Sequence, residues 1–546
     1  MNPNEQELQE ELDGTTPTPA QEVVPEPSID KVEETTEETA TEATTEEAPA
    51  GKKSSFKYII IAAVLVIASV AAIALSSGSK EETQVSAEAI TAASTNAVTI
   101  NGVDYSAAEL NYHVINTYQS FVSSYSTYLS YFGLDTSISL KEQYSMDGTA
   151  TWYEYFLEEG MSQMATIISI LEEAEAAGYV FDDTIEQSKQ AYLAEIEMYA
   201  PYYGYADGEE YLQSLYGSTM TLELYEKLLE QSLQAEAYSY AFVDSLIYDE
   251  ATLQATYEEY PDNYDMVECE YLYVYNPVPT VDEDGNAIEV TEEMTAAALA
   301  ESEAIVTQMY EDYTAGASLA DVATSSDLAV YQSSTTTAYG AGAVPEWLFD
   351  QSRQTGDSSI LVDEDYGVYY IVIFHDRYLE DYNLIDVRHI LLMPATGTLI
   401  SGDDGYEAEV AALDAAALAN AQAIYDEFLA GDQSEDSFAT LANTYSEDPG
   451  SNTTGGLYSM VAKGEMVEAF ENWCFDETRQ VGDSGIVETE YGYHIMYFSG
   501  FELPYWQATI SATLAEADYT VWYNELQTAM DIVPIEDGLA LVGSTL

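Results

Sequence analysis

Basic residues are scarce in this chain. Its 546 residues include 13 lysines and arginines against 99 aspartates and glutamates, which gives a formal net charge of −86. A field of this sign repels phosphate backbones and gains nothing from counterion release, so it argues against nucleic acid as a partner. Cysteine is rarer still. Cys269 and Cys474 are too few and too far apart for a disulfide framework or a zinc knuckle, and we expect both to be small buried core residues.

Signatures of metal binding and of proteolysis are also lacking. No His-Glu-x-x-His and no Asp-Thr-Gly sequence occurs. Residues 282–286 and 403–405 resemble fragments of a calcium loop, but neither has the remaining ligands or the closing glutamate, so hairpin turns are the better interpretation. The sequence therefore predicts no metal and no cofactor.

What is present is enough apolar surface for several domains. Apolar residues make up 47% of the chain and aromatic residues 12%, with 47 tyrosines. Such a composition excludes wholesale disorder. A single hydrophobic core stops growing at roughly 250 to 300 residues, so a chain of this length is expected to be multidomain.

An uncharged apolar run over residues 58–75 is long enough to span a bilayer, and it predicts one transmembrane helix. Lysines precede the run and glutamates follow it, which places the N-terminus in the cytoplasm and the bulk of the chain outside the cell membrane. The acidic, Thr- and Pro-rich segment before it is expected to be disordered. A cleaved signal peptide is the alternative, although this leading segment is long for one.

Residues 97–260 have a helical pattern. A short hairpin is predicted around residues 98–103, and Ser106 with Glu109 forms a capping box that begins the first helix. Tyrosines recur along the amphipathic stretches that follow, for example Tyr118, Tyr125, Tyr128 and Tyr131. They are either core residues or an exposed surface for other chains.

The most informative feature is an internal repeat. Residues 347–358 match residues 473–484 at an offset of 126, and after one extra residue Tyr366-Gly367 aligns with Tyr491-Gly492. Each copy is predicted as a strand, an acidic loop, two or more helices and a closing pair of strands, which is an α+β domain. The copies are named here the first repeat (residues 262–380) and the second repeat (residues 381–502).

The second repeat resembles the parvulin family of peptidyl-prolyl isomerases. The resemblance is carried by five motifs in order, which are Val387-Arg-His-Ile-Leu-Leu392, Phe438-Ala-x-Leu-Ala442, Tyr445-Ser-Glu-Asp-Pro-Gly-Ser451 with Gly455-Gly456, Lys463-Gly-Glu-Met-Val467 with Phe470, and Tyr491-Gly-Tyr-His-Ile495. The whole layout is similar to membrane-anchored extracytoplasmic foldases of the PrsA and SurA type. In these proteins a helical chaperone module, completed by a C-terminal helix, carries one or two parvulin domains.

The resemblance implies a site without nucleophile, metal or cofactor. His389 and His494 would be paired imidazoles at the floor of the pocket, with Asp448 as the acid facing the rotating amide. Met466 and Phe470 would form the proline pocket. Tyr458 and Tyr491 are further substrate-binding candidates, although both depart from the family pattern. His113 and His375 lack such a context and are expected to be structural or surface residues.

The first repeat lacks the corresponding side chains. The alignment places three residues at the site positions: Tyr271 for His389, Ala329 for Asp448 and Tyr369 for His494. A phenol cannot reproduce the tautomeric exchange of a neutral imidazole pair. The first repeat is therefore predicted to fold without being catalytic.

The resulting fold class is an all-α chaperone module plus two tandem α+β parvulin-like domains behind a single N-terminal transmembrane helix. The predicted boundaries are a disordered acidic cytoplasmic tail (1–55), a transmembrane helix (56–76), a linker (77–96), a helical chaperone domain (97–260), a degenerate parvulin-like domain (262–380), a parvulin domain (381–502) and a C-terminal helix on the chaperone module (503–546).

The predicted function is an extracytoplasmic prolyl isomerase and chaperone that acts on unfolded or newly secreted polypeptides with X-Pro bonds. Two alternatives stay open. A non-catalytic membrane-anchored holdase would explain everything except the set of His389, Asp448 and His494. An acidic surface adhesin or scaffold would explain the anchor and the charge but not five ordered motifs. The sequence does not indicate an oligomeric state.

Overall fold

The computed structural model describes residues 95–145, 148–278, 288, 290–363, 366–543 and 546, except for the side chains of 334–336. The predicted tail, transmembrane helix, most of the linker and the acidic stretch 282–286 lie outside these residues. Within the described ranges, no helix is both long and apolar enough to cross a membrane.

The first described part is mostly helical. Its elements are β1 (Asn96–Ile100), β2 (Val103–Ser106), α1 (Ala107–Ser124), α2 (Trp152–Ala177), α3 (Thr184–Tyr202), α4 (Gly208–Tyr216), α5 (Leu222–Ser245) and α6 (Glu250–Glu259). The predicted capping box of Ser106 and Glu109 is confirmed, and Thr151 with Glu154 forms a second one at the start of α2. Each box satisfies N–H groups that a helix leaves unpaired at its first turn.

The first repeat forms an α+β unit. Its elements are β3 (Asp265–Val274), α7 (Glu292–Thr314), α8 (Leu319–Ala323), β4 (Ala329–Thr337), α9 (Ala343–Leu348), β5 (Ser358–Asp363) and β6 (Val368–Leu379). The strands are antiparallel in the order β4-β3-β6-β5.

The second repeat has the same order of elements. They are β7 (Asn383–Leu392), α10 (Tyr406–Ala430), α11 (Glu435–Tyr445), β8 (Leu457–Val461), α12 (Glu468–Cys474), β9 (Ser484–Thr489) and β10 (Gly492–Pro504). Its sheet order, β8-β7-β10-β9, is that of the first repeat. The sequence interpretation missed the edge strand between the helices, because five residues at Leu457–Val461 are too short to show a clear period.

The chain then returns to the helical part through α13 (Tyr505–Ala529), β11 (Ile532–Pro534) and α14 (Glu536–Leu539). Helix α13 packs against α2 and α5 through a core that includes Ile170, Tyr519 and Trp522. Strand β11 pairs with β1, which gives a sheet in the order β11-β1-β2. The description of this module as all-α is therefore wrong, because its sheet is completed by a three-residue strand from the far end of the chain.

Trp522 is predicted to be the main anchor of α13. Its indole N–H donates to Glu173 at 2.9 Å and its ring stacks on Phe242 with centroids 4.3 Å apart. Replacing it with alanine should cost about 3–5 kcal/mol of unfolding free energy, since it removes a large buried ring and leaves Glu173 with only the longer hydrogen bond from Tyr238 at 3.4 Å. Calorimetry or urea unfolding of the full chain measures this. The neighbouring exposed Val521→Ala should change stability by about 0.5 kcal/mol or less, and an equal loss in both variants would contradict the prediction.

Candidate active site

The two central strands of the second repeat bring the predicted imidazoles together. Strands β7 and β10 are antiparallel, with His389 opposite Met496 and His494 opposite Leu391. The two histidines are thus diagonal neighbours on one face of the sheet. Their rings stack with centroids 5.2 Å apart, and both side chains are buried. This face is the one opposite to the helices α10 and α11.

A chain of hydrogen bonds runs through this pair. The Nδ1 atoms of His389 and His494 are 3.0 Å apart. The Nε2 atom of His389 lies 2.9 Å from Oδ2 of Asp448 and 3.1 Å from Oγ of Ser451. At the other end, Nε2 of His494 lies 2.8 Å from Oγ1 of Thr489. The structure therefore links five side chains from β7, β9, β10 and the loop after α11.

The electrostatics favour a charged Asp448 and a neutral His494. Burial acts to raise the pKa of Asp448, but hydrogen bonds from His389 and Ser451 outweigh it and hold the pKa well below its usual range. Burial, reinforced by His389, lowers the pKa of His494 to about 4. Asp448 is thus ionised and His494 is neutral at pH 7.

One assignment of protons gives each ring nitrogen a partner with both imidazoles neutral. The Nε2–H group of His389 donates to Asp448, and Nδ1 of His389 accepts from Nδ1–H of His494. The remaining Nε2 atom of His494 then accepts from the hydroxyl of Thr489. Positions of hydrogens follow here from the network of heavy atoms. The carboxylate thereby fixes the tautomer of both rings.

A glycine pair allows the acidic loop to reach β7. The N–H of His389 donates to the carbonyl oxygen of Gly456 at 2.8 Å. A Cβ atom on Gly456 would lie 2.1 Å from the carbonyl oxygen of His389, and its φ of +71° favours glycine as well. Arg388 holds the same loop by donating to the carbonyl oxygens of Thr454 and Gly455, both at 3.0 Å. Steric contact with β7 thus explains why glycine is required in the Gly455-Gly456 motif.

The predicted proline pocket lies beside the rings. Phe470 is buried and meets His389 and His494 edge to face, with centroids 5.5 and 5.4 Å away. Met466 is partly buried in the same cluster. Its spacing from Phe470 is not that of two residues on one helix, because α12 begins at Glu468.

The other two candidates differ in their placement. The hydroxyl of Tyr458 donates to Oδ2 of Asp448 at 3.0 Å, so Tyr458 belongs to the hydrogen-bond network as well as to the pocket wall. Tyr491 lies in the turn between β9 and β10 with a side chain that is 57% exposed. Only its backbone N–H reaches the network, where it donates to Thr489 at 3.2 Å. The structure does not bring the Tyr491 side chain to the imidazoles.

Sequence reasoning missed two members of the network. Ser451 lies within one of the quoted motifs, and its hydroxyl donates to Asp448. Its position three residues after the acid was a usable signal. Thr489 has no such signal, because its place beside His494 depends on the pairing of Thr489 with Gly492 across the β9–β10 hairpin.

Equivalent backbone contacts align the two repeats independently of sequence. In the first repeat the N–H of Gly356 donates to the carbonyl oxygen of Phe374 at 2.8 Å, and in the second that of Gly482 donates to Phe498 at 2.9 Å. Phe374 also donates to Asp357, as Phe498 does to Asp483. Phe374 and Phe498 therefore occupy the same place in their sheets.

Counting back from these phenylalanines corrects the alignment at the second imidazole. His494 corresponds to Tyr370, and the earlier assignment to Tyr369 is wrong. Tyr369 packs with the core on the helix side of the sheet, whereas Tyr370 lies on the opposite face near Tyr271. The physical reason is a hairpin that is two residues longer in the first repeat, not one, since four residues separate β5 from β6 and two separate β9 from β10.

The position of the acid also needs correction. Ala329 is the first residue of β4 and pairs with Val274, so it lies inside a strand. Asp448 lies instead in an irregular loop between α11 and β8. The first repeat replaces most of this loop with a longer edge strand, and Ala329 is not a structural counterpart of the acid.

Comparison with known protein families gives a match within the second repeat. Residues 389–500, about a fifth of the chain, match the family model described as "Rotamase: PPIC-type PPIASE domain". This segment is therefore a parvulin-type peptidyl-prolyl isomerase domain, as the motifs predicted.

Particular relatives carry the name of a foldase. The chain is 46% identical over 66 residues to "Foldase protein PrsA" of Geobacillus sp. (strain WCH70), covering 12% of this chain and 23% of that protein. It is 48% identical over 60 residues to "Foldase protein PrsA 3" of Bacillus cereus, covering 11% and 20%. The matched segment thus spans less than a quarter of these relatives. These matches support the resemblance of the matched segment to foldases of the PrsA type.

A solved structure is also similar. PrsA from Bacillus subtilis aligns with 12% identity over 74% of this chain and 98% of its own, with a TM-score of 0.26. This score is too low to establish a shared arrangement of the parts.

We predict that His494 gains a proton only near pH 4. The imidazole titrates near 6.5 in an unfolded chain, so the folded pKa is the lower one. The stability contributed by neutral His494 should therefore be complete above pH 6.5 and be lost as the pH falls from there towards 4. NMR of ¹³C-labelled histidines measures the midpoint, with His494→Gln assigning the signal. Assignment matters because burial also lowers the pKa of His113 to about 4. A midpoint at 6 or above for His494 would contradict the prediction.

Replacing Gly456 with alanine should disrupt the site. The added methyl group would collide with the carbonyl oxygen of His389 and adopt an unfavourable φ, and we expect a loss of about 2–4 kcal/mol in unfolding free energy. Gly464→Ala is the matched control, because its φ is +87° but no atom lies within 4 Å of the added methyl group. Urea unfolding should show a loss of about 1 kcal/mol for the control. Equal losses would show that strain alone, and not the close approach to β7, constrains Gly456.

Proposed function

We propose that the chain is a peptidyl-prolyl cis/trans isomerase joined to a chaperone that assists the folding of other polypeptides. The observation that carries the proposal is the pair His389 and His494 beside an ionised Asp448, inside a domain that matches the parvulin-type family model.

Prolyl isomerisation requires no covalent step from the protein. Rotation about an X-Pro bond has a barrier of roughly 18–20 kcal/mol, yet no bond breaks. A catalyst must hold the proline ring, exclude water and favour the twisted amide over both planar forms. Met466 offers partly exposed apolar surface for the ring, backed by the buried Phe470 and next to the charged end of the network at Asp448.

The charge of Asp448 has a specific use in this proposal. A planar amide carries partial negative charge on its oxygen through resonance, and twisting removes this charge. A carboxylate close to that oxygen would repel the planar forms more than the twisted one, which lowers the barrier. The imidazole pair, Ser451 and Tyr458 would act as positioning residues that hold the carboxylate in place and keep it ionised.

The helical part is proposed to bind unfolded clients. Tyr125, Tyr128 and Tyr131, named here the tyrosine patch, follow α1 and are 44%, 61% and 65% exposed. Tyr125 and Tyr131 both contact Phe132, so the patch is anchored on a partly buried ring. Exposed tyrosines offer apolar area and hydrogen bonds without a fixed sequence requirement. This suits contact with many different chains.

The location of the protein is part of the proposal. We infer a single-pass anchor at residues 56–76 with the bulk of the chain outside the cytoplasm, from the apolar run and its flanking charges. Clients would then be newly secreted polypeptides. Protease accessibility of the C-terminal part in intact cells tests this inference.

Catalysis is tested on the full chain by NMR exchange spectroscopy of a short X-Pro peptide. We expect cis/trans exchange to be accelerated, and Asp448→Asn to reduce kcat/KM by about tenfold or more, because the variant keeps the size of the side chain but loses the charge and one of its two acceptor oxygens. Asp436→Asn removes the same charge from an exposed position of α11 and should have no effect. The uncatalysed rate with the intact chain would refute the isomerase proposal.

The same assay tests the prediction that the first repeat has no isomerase activity. A His389→Ala, Asp448→Asn double variant should fall to the uncatalysed rate, because Tyr271 and Tyr370 do not supply an imidazole pair. Circular dichroism must show that the variant is folded. Substantial remaining activity would show that the first repeat also catalyses the reaction.

The proposed chaperone function predicts that the tyrosine patch suppresses the aggregation of client proteins. Replacing Tyr125, Tyr128 and Tyr131 with serine should weaken the suppression seen by light scattering of an unfolding basic client. Tyr366→Ser with Tyr491→Ser is the control, since these tyrosines are exposed outside the helical part. The effect should decrease with added salt, because negative charge attracts the client. Unchanged suppression in the triple variant would remove the patch from the proposal.

A further inference from the structure

The first repeat contains a cavity at the place where the second repeat has its imidazoles. The cavity has a volume of about 330 Å³, within the range of about 300 to 1,000 Å³ typical of small-ligand sites. Its walls include Tyr271, Tyr370, Asp363, Val344, Pro345 and Leu348.

The contents of the two sites differ at each equivalent position. On the corrected alignment, Tyr271 and Tyr370 replace the imidazole pair, and Asp363 replaces Thr489 at the end of the hairpin strand. Val344 stands where Phe470 fills the second site, and Gly340 where Met466 does. Smaller side chains on this wall leave room for a group longer than a proline ring.

The chemistry of the cavity is that of a cation site. Asp363 is a half-buried carboxylate that faces the same space as two phenol rings whose centroids are 6.3 Å apart. Its Oδ1 atom accepts from the N–H of Tyr366 at 3.1 Å. The described residues that line the cavity include no lysine, arginine or histidine. Burial, together with the charge of Asp363, raises the pKa of Tyr370, so the phenols stay neutral.

We propose that this cavity binds the lysine or arginine side chain of an extended client polypeptide. The aliphatic stem would lie on Val344, Pro345 and Leu348, and the cationic end would meet the ring faces and the carboxylate of Asp363. The inference rests on the proposed chaperone function and names the client feature that the first repeat recognises. The strong negative charge of the whole chain favours the same ligand.

Proline fits this cavity less well than a basic side chain. The ring is neutral and gains nothing from Asp363, and the wall that Phe470 narrows in the second repeat is formed by Val344 here. The two repeats would therefore recognise different residues of one client. The first repeat would bind a basic residue, and the second would isomerise an X-Pro bond.

The test uses the full chain with labelled methyl groups. The probe is a flexible glycine- and serine-rich peptide with one central arginine, and its binding is followed by NMR at the methyl signals of Val344 and Leu348. We expect saturable shifts with the arginine peptide and none with glutamine or proline at that position. Asp363→Asn keeps an acceptor for Tyr366 and should weaken binding about tenfold. Glu303→Gln removes an equal charge from an exposed position of α7 and should leave binding unchanged.

Three results would overturn the inference. They are equal binding of the arginine and glutamine peptides, shifts that avoid both methyl groups, and an Asp363→Asn variant that binds as tightly as the unaltered chain. Isomerase turnover, measured separately, should be unchanged in Asp363→Asn. Absence of arginine binding with normal turnover would refute the arginine site and leave the catalytic proposal intact. Arginine binding without turnover would support the arginine site and contradict the catalytic proposal.

Discussion

The antiparallel pairing of β7 with β10 is the constraint on which the second repeat depends. These long strands form the centre of the sheet, and their register sets which side chains share a face. A shift of one residue would move His494 to the helix side and Tyr493 to the pocket side. The stacked imidazoles, the buried acid and the pocket all follow from this one register. Hydrogen bonds from Arg388 and to Gly456 then fix the loop that carries Asp448 against the same strand.

The first repeat shows that the same sheet can form without the histidines and the acid of the second repeat. Strands β3 and β6 pair as β7 and β10 do, and the core on the helix side is formed by the same kinds of residue. The opposite face has its own core around Val372 and Phe374, but Tyr271 and Tyr370 line a cavity beside that core and can change. Tyr271 and Tyr370 occupy the positions of the imidazole pair with ring centroids 6.3 Å apart, and a longer β4 takes the place of the acidic loop. A sheet that is packed on both faces thus leaves the few positions around this cavity free to change.

The sequence was sufficient where a pattern was local. The capping box at Ser106, the order of the parvulin motifs and the choice of His389, Asp448 and His494 all rest on neighbours within a few residues, and the structure brings these three side chains together. The sequence was insufficient where the position of a residue depends on strand pairing between distant parts of the chain. Thr489 joins the network through a hairpin register, and β11 joins a sheet more than 400 residues away in the chain.

The misplacement of Tyr369 has the same physical origin. Sequence similarity ends in the hairpin between β5 and β6, where an insertion does not disturb the sheet. The alignment can therefore slip by one residue without any local penalty, although in a strand that slip changes the face. Only the backbone contacts of Phe374 and Phe498 restore the correct register.

The four arginines of the chain all lie in its repeats, where each has a defined contact. Arg353 lies over Trp347 at 4.3 Å, and the equivalent Arg479 lies over Trp473 at 3.8 Å. Arg377 pairs with two aspartates where the helical part meets the first repeat. Guanidinium groups suit these tasks because they stack on rings and donate in several directions at once. Acidic residues outnumber basic ones by 99 to 13, so the negative field of the surface extends to approaching polypeptides. Long-range attraction would select basic segments before any cavity or proline pocket makes contact.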